Sequence, residues 1–160
     1  MLFRSNGDGL EGTGLSVTQP NTTYVVFECQ GGFDGGRVLS GVSERQLIWP
    51  SARNNINKWR TYAGDHLAGS NDLGIQQMTV VFDGANSIVR ENGVETAVGD
   101  TGTNDLGGLS VGYDSWGYNY NDGENRNYAD AYVSEIVLVN SGSVDLDFET
   151  QLLEKWGITA

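Results

Sequence analysis

Three carboxylates alternate near the end of the chain, in Asp145-Leu-Asp147-Phe-Glu149. On a β-strand they would share one face, and a carboxyl pair about 5 Å apart serves retaining glycoside hydrolysis as nucleophile and acid. On a helix they fan out by about 100° per residue and form no such pair. The setting here is helical. In SVDLDFETQLLEKWGI, Phe148, Leu152 and Trp156 recur every fourth residue, and Leu153 widens the stripe. Asp145 is placed to cap the start, Asp147 and Glu149 suit the positive end of the helix dipole, and Gly157 suits the C-terminal cap. The three acids are read as helix-capping groups, and no residue is assigned a catalytic role.

His66 is the only histidine, which excludes a multi-histidine zinc site. No Gly-x-Ser-x-Gly elbow accompanies it. Within TYAGDHLAG it is expected in a loop, as a surface or interface residue. Cys29 is the only cysteine, so no intrachain disulfide forms. Its place in TYVVFEC predicts a buried, inert thiol, and the absence of disulfides is compatible with folding in a reducing cytoplasm.

The densest chemistry lies between residues 113 and 128. Asp114, Asn119, Asn121, Asp122 and Glu124 crowd this stretch. Carboxylates and amides are hard oxygen ligands, and calcium is the metal that Asp114, Asn119, Asn121 and Asp122 would suit. The spacing is not that of an EF-hand, and Asn, Asp and Gly also build ordinary turns. Tyr113, Trp116, Tyr118, Tyr120 and Tyr128 share the segment. Such rings stack on sugars, bury in protein interfaces, or fold back over their own domain. All three roles remain open on the residues alone.

The elements that must carry these residues are short strands. Thr22 to Cys29 is rich in β-branched and aromatic residues. Arg37 to Val42 and Arg45 to Trp49 read as two more, with Pro50 expected to end the second. Asn57 to Tyr62 alternates as a half-buried strand does. Gly74 to Asp83 holds the core run MTVVF; Ile88 to Glu91 and Val94 to Val98 flank the hairpin signal Asn92-Gly93. Gly108 to Tyr113 and Tyr132 to Asn140 complete the set. Trp49, Trp59 and Trp156 lie in regular elements and are expected in the core. Glu135, in an otherwise apolar strand, is read as structural. About ten strands and one helix predict an antiparallel double sheet, of jelly-roll or immunoglobulin type.

Composition narrows the partners. With 38% hydrophobic and 19% charged residues, the 160-residue chain is globular and is expected to form one domain over 1–160. A net charge of −12 argues against nucleic acid and against an anionic membrane surface. No apolar run approaches the roughly 18 residues of a membrane span, and MLFRSNGDGLEGTG lacks a signal-peptide core.

The C-terminal third chooses between the two sandwiches. Tyr132-Val-Ser-Glu-Ile-Val-Leu-Val-Asn140, a turn, and Phe148-Glu-Thr-Gln-Leu-Leu-Glu-Lys-Trp-Gly-Ile158 resemble the closing segment of concanavalin A-like lectin/glucanase domains, in the laminin G-like form common in bacteriophage structural proteins. Those domains end in a strand carrying Glu-Ile and a short helix finishing in Lys-Trp-Gly, matched by Glu135-Ile136 and Lys155-Trp156-Gly157. Glucanases of that family carry Glu-x-Asp-x-Glu, and Asp145 stands where their nucleophilic glutamate would be. The resemblance implies an all-β, antiparallel two-sheet jelly-roll sandwich with one short C-terminal helix. It implies a non-enzymatic virion structural protein of a bacteriophage, a capsid decoration or tail-associated protein. Such a protein would fold in the host cytoplasm and have capsid or tail proteins and sister subunits as partners. The alternative is a free-standing carbohydrate-binding module, with calcium as its one candidate cofactor.

Overall fold

The computed structural model describes residues 3–5, 9–30, 36–42, 45–51, 58–71, 74–112, 129 and 131–159. In chain order the strands are β1 (Phe3–Ser5), β2 (Leu10–Val17), β3 (Asn21–Cys29), β4 (Leu39–Ser40), β5 (Leu47–Ser51), β6 (Lys58–Tyr62), β7 (His66–Ala68), β8 (Ile75–Phe82), β9 (Ser87–Glu91), β10 (Val94–Gly99), β11 (Leu106–Val111) and β12 (Ala131–Val139), followed by helix α1 (Leu146–Trp156). They form two antiparallel sheets. The first has the order β1-β12-β3-β8-β9-β10 and the second β2-β11-β4-β5-β6-β7. This is a jelly-roll sandwich closed by one short C-terminal helix.

Alternation builds the core. Val25, Phe27, Met78, Val80, Phe82 and Val89 project inward from the first sheet and meet Leu39, Ile48, Trp59 and Val111 from the second. Phe27 and Trp59 touch across the interface with ring centroids 4.7 Å apart. The Asn92-Gly93 hairpin forms as its sequence predicts. Both residues have positive φ, 51° and 80°, the type I′ geometry that matches strand twist.

Several expectations change. The N-terminal segment supplies two strands, β1 on β12 and β2 on β11. The glycines of LEGTGLSV hide the second from propensity, and its pairing is non-local. Pro50 does not end β5, which runs on to Ser51. Its nitrogen faces the β4 side, where pairing has already stopped at Ile48, so no ladder bond is lost. His66 lies in β7, paired with Tyr62. Cys29 is half-buried, because β8 pairs with β3 only as far as Glu28.

Helix α1 lies against the outer face of the first sheet. Asp145 caps it by accepting from Phe148 N at 3.0 Å, and Gly157 closes it with φ 66°. Tyr24 meets Phe148 edge-on at 5.1 Å, and its hydroxyl accepts from Asp145 N at 2.8 Å. Burial pushes the Tyr24 phenol above its ordinary range. Glu149, 2% exposed, accepts from Thr79 Oγ1 at 2.6 Å and pairs with Arg90 at 2.9 Å. Glu135 accepts from Lys155 Nζ at 2.7 Å and from Trp156 Nε1 at 2.8 Å. The Glu-Ile and Lys-Trp-Gly motifs are therefore the two halves of one clamp, and Trp156 is a half-buried member of it rather than a core residue.

Candidate functional site

With α1 covering the first sheet, the outer face of the second sheet is the place to look for a site. Its side chains follow from the strand alternation. Trp59 and Thr61 are fully buried toward the core, so Lys58, Arg60 and Tyr62 of β6 point outward. In β5, Ile48 belongs to the core, which turns Leu47 and Trp49 outward. The register sets Leu47 opposite Tyr62 and Trp49 opposite Arg60; on the other side of β6, His66 faces Tyr62 and Ala68 faces Arg60.

Trp49 is thus on the outer face, although only 5% exposed. The Arg37 guanidinium lies over its ring at 4.5 Å. His66, which is exposed, contacts both Trp49, at 5.5 Å, and Tyr62, at 4.9 Å between ring centroids. Arg45 lies 6.0 Å over the Tyr62 ring. Arg37, Trp49, His66, Tyr62 and Arg45 form a continuous line of three rings with a guanidinium group at each end. Trp49 is the floor of this line, and His66 and Tyr62 are the rings that meet solvent.

The turn that delivers His66 is held from below. Ala63 N and Asp65 N both donate to Thr101 O, at 2.6 and 2.8 Å, and Asn104 N donates to Ala63 O at 2.6 Å. Gly102, with φ 85°, lets the two segments approach; a Cβ there would sit 2.5 Å from Ala63 O. Asp65 Oδ1 accepts from His66 N at 2.7 Å, fixing the start of β7.

Tyr113, Trp116, Tyr118, Tyr120 and Tyr128, and the calcium candidates Asp114, Asn119, Asn121 and Asp122, lie outside the described residues. The two ends of their segment are described. Gly112 N donates to Val38 O at 3.0 Å, and Ala129 N donates to Gly112 O at 2.9 Å. Gly112 and Ala129 therefore lie side by side, at the residue that follows Arg37. Among the described residues no three His, Cys, Asp or Glu side chains come together to hold a metal. Asp145, Asp147 and Glu149 lie in and beside α1, with Glu149 committed to Arg90 and Thr79. A cleft of about 380 Å³ beside the start of α1, between Tyr24, Val139 and Phe148, has Asp145 as its only charged lining residue among the described residues.

Sequence reasoning missed the outer line, placing Trp49 in the core and His66 in a loop. The alternation Lys58-x-Arg60-x-Tyr62 was the available signal. Read against a buried Trp59, it puts two cations and a ring together on the outer, half-buried face.

No protein-family model and no curated protein sequence matches this chain. Solved structures do. A candidate carbohydrate-binding protein from Bacteroides ovatus superposes with TM-score 0.65 at 15% identity, covering 93% of this chain and 44% of that one. Domain 4 of an extracellular arabinanase from Geobacillus stearothermophilus, solved with arabinotriose, gives TM-score 0.57 at 11% identity, over 95% of this chain and 86% of that one. The LG1–3 region of the laminin α2 chain gives 0.58 at 11% identity, over 88% and 27%. This chain spans less than half the length of the first and third. At these identities the likeness is one of fold, a two-sheet jelly-roll sandwich.

Proposed function

We propose that this chain is a non-catalytic, lectin-like module that binds carbohydrate across the outer face of its second sheet. The observation that carries the reading is the line Arg37–Trp49–His66–Tyr62–Arg45. The half-buried Tyr62 ring and the exposed His66 ring offer their faces to a sugar above the Trp49 floor. The neighbouring arabinanase domain solved with arabinotriose supports the reading by showing that a fold of this kind is found with an oligosaccharide.

The test is a glycan array probed with the full chain and with Tyr62→Ala and His66→Ala, in calcium and in chelator. Loss of binding in both variants, with unchanged melting temperature, is the expected result. Binding that survives in both but disappears in Trp116→Ala would move the site to the 113–128 segment. Loss in chelator would make binding calcium-dependent, with Asp114, Asn119, Asn121 and Asp122 as the candidate ligands to substitute next.

The finer setting, a capsid decoration or tail-associated protein of a bacteriophage virion, rests on the resemblance of residues 132–158. Quantitative mass spectrometry of purified particles tests it: tens to hundreds of copies per particle support it, and absence from particles removes it.

A further inference from the structure

Given the carbohydrate-binding reading, on which this inference rests, the line of rings is only as fixed as the turn that ends in His66. That turn has a support far away in sequence. Gln19 lies in the connection between β2 and β3. Its backbone N donates to Asp105 Oδ1 at 2.7 Å, which anchors the residue at its base. A glutamine amide has two N–H donors, and here Nε2 donates to Gly102 O at 3.1 Å and to Asn104 O at 2.8 Å. Its Oε1 accepts from Gly84 N at 2.9 Å.

These bonds belong to a closed circuit. From Gln19 Oε1 it runs to Gly84, whose O accepts from Thr101 N at 3.2 Å. Thr101 O accepts from Ala63 N, Ala63 O accepts from Asn104 N, and Asn104 O returns to Gln19 Nε2. Gly84, Thr101, Ala63 and Asn104 all take part through their backbones. Gln19 takes part through its side chain, so it is the place where a substitution opens the circuit without changing the peptide. Gln46 Nε2 also reaches Asn104 O, at 3.2 Å, but among the described residues Gln19 alone reaches both Gly102 O and Asn104 O.

We propose that Gln19 is a positioning residue for the binding face: its amide holds the 101–104 segment, and that segment sets the turn at 63–65 and so the His66 ring against Trp49 and Tyr62. A ring already in place when the sugar arrives loses less freedom on binding. The support thus reaches affinity without touching the ligand.

The experiment follows His66 in two variants of the full chain. Gln19→Met keeps the length of the side chain and removes its donors and its acceptor; Gln19→Glu keeps the acceptor and removes both donors. Both retain the backbone bond to Asp105. His66 is the only histidine, so its ring gives a single Cε1–H resonance, which the Trp49 and Tyr62 rings, with centroids 5.5 and 4.9 Å away, displace. Asp145→Ala is the control, since it loosens the chain at the α1 cap instead. In both Gln19 variants the resonance should move toward its position in the unfolded chain, and the His66 amide should exchange roughly tenfold faster than in the control. Gln19→Met should also bind a sugar retained by the array roughly tenfold more weakly, with the control unchanged. A resonance and exchange rate in Gln19→Met equal to those of the parent, or altered equally in Asp145→Ala, would overturn the Gln19 inference and leave the carbohydrate-binding reading standing. A displaced resonance with unaltered sugar affinity would keep Gln19 as the positioning residue and remove this face as the sugar site. Should Gln19→Met fail to fold, Gln19→Glu decides by the same readouts.

Discussion

Glu149→Ala should unfasten the terminal helix. In the folded chain the carboxylate is 2% exposed and is shared between the Thr79 hydroxyl at 2.6 Å and the Arg90 guanidinium at 2.9 Å. Truncation removes both bonds at once and leaves Arg90, 17% exposed at its side chain, as an uncompensated cation beneath α1. Breaking a buried pair from one side costs about 3–5 kcal/mol. The total stability of a domain is about 5–15 kcal/mol, so the variant should be folded but fragile. With a urea dependence of about 2 kcal/mol/M, the unfolding midpoint should fall by about 2 M at unchanged slope. Arg90→Met combined with Glu149→Leu should recover most of that loss, because the orphaned charge goes with its partner. A midpoint shift below about 0.3 M for Glu149→Ala, at the same slope, would refute the account of Glu149 as the helix fastening. A double variant no more stable than the single one would refute the electrostatic part.

Three further outcomes follow from the same geometry. Lys155, and then Trp156, hold the Glu135 carboxyl below its usual value of 4.5 by hydrogen bonds. A depressed carboxyl pKa gives stability that is complete above the unfolded value and lost as pH falls through the folded one. Below about pH 4.5, Glu135→Gln should therefore lose less stability with acid than the parent chain, as read from urea midpoints across pH. Gly102→Ala, at φ 85° and with its Cβ 2.5 Å from Ala63 O, should cost more than about 2 kcal/mol, and the amide of His66 should lose hydrogen-exchange protection. Asp145→Ala removes the α1 cap and should cost about 1 kcal/mol, a fall of about 2–4 °C in melting temperature.

Local signals were legible wherever a few neighbouring residues decide the outcome. The α1 stripe, its Asp145 and Gly157 caps and the Asn92-Gly93 turn all appear where the sequence puts them. The alternation from Lys58 to Tyr62 shows which residues share a face. It does not show which face meets the core, since that depends on the strands β5 and β7 that pair on either side. The candidate site was hidden for that reason. Trp49 has the burial of a core tryptophan, yet it lies on the outer face, with Arg37, twelve positions away, over its ring and His66 beside it.

By itself, then, the sequence determines the helix with its caps, the Asn92-Gly93 turn, most of the strands and the two-sheet class, because propensity, capping and period act over a few residues. Only the tertiary structure decides that the N-terminal segment forms β1 and β2, that His66 sits in a strand beside Tyr62, and that Glu149 meets Arg90 across 59 positions. These are pairings between distant segments. Their free energy comes from burial and hydrogen bonding that exist only once both partners are in place.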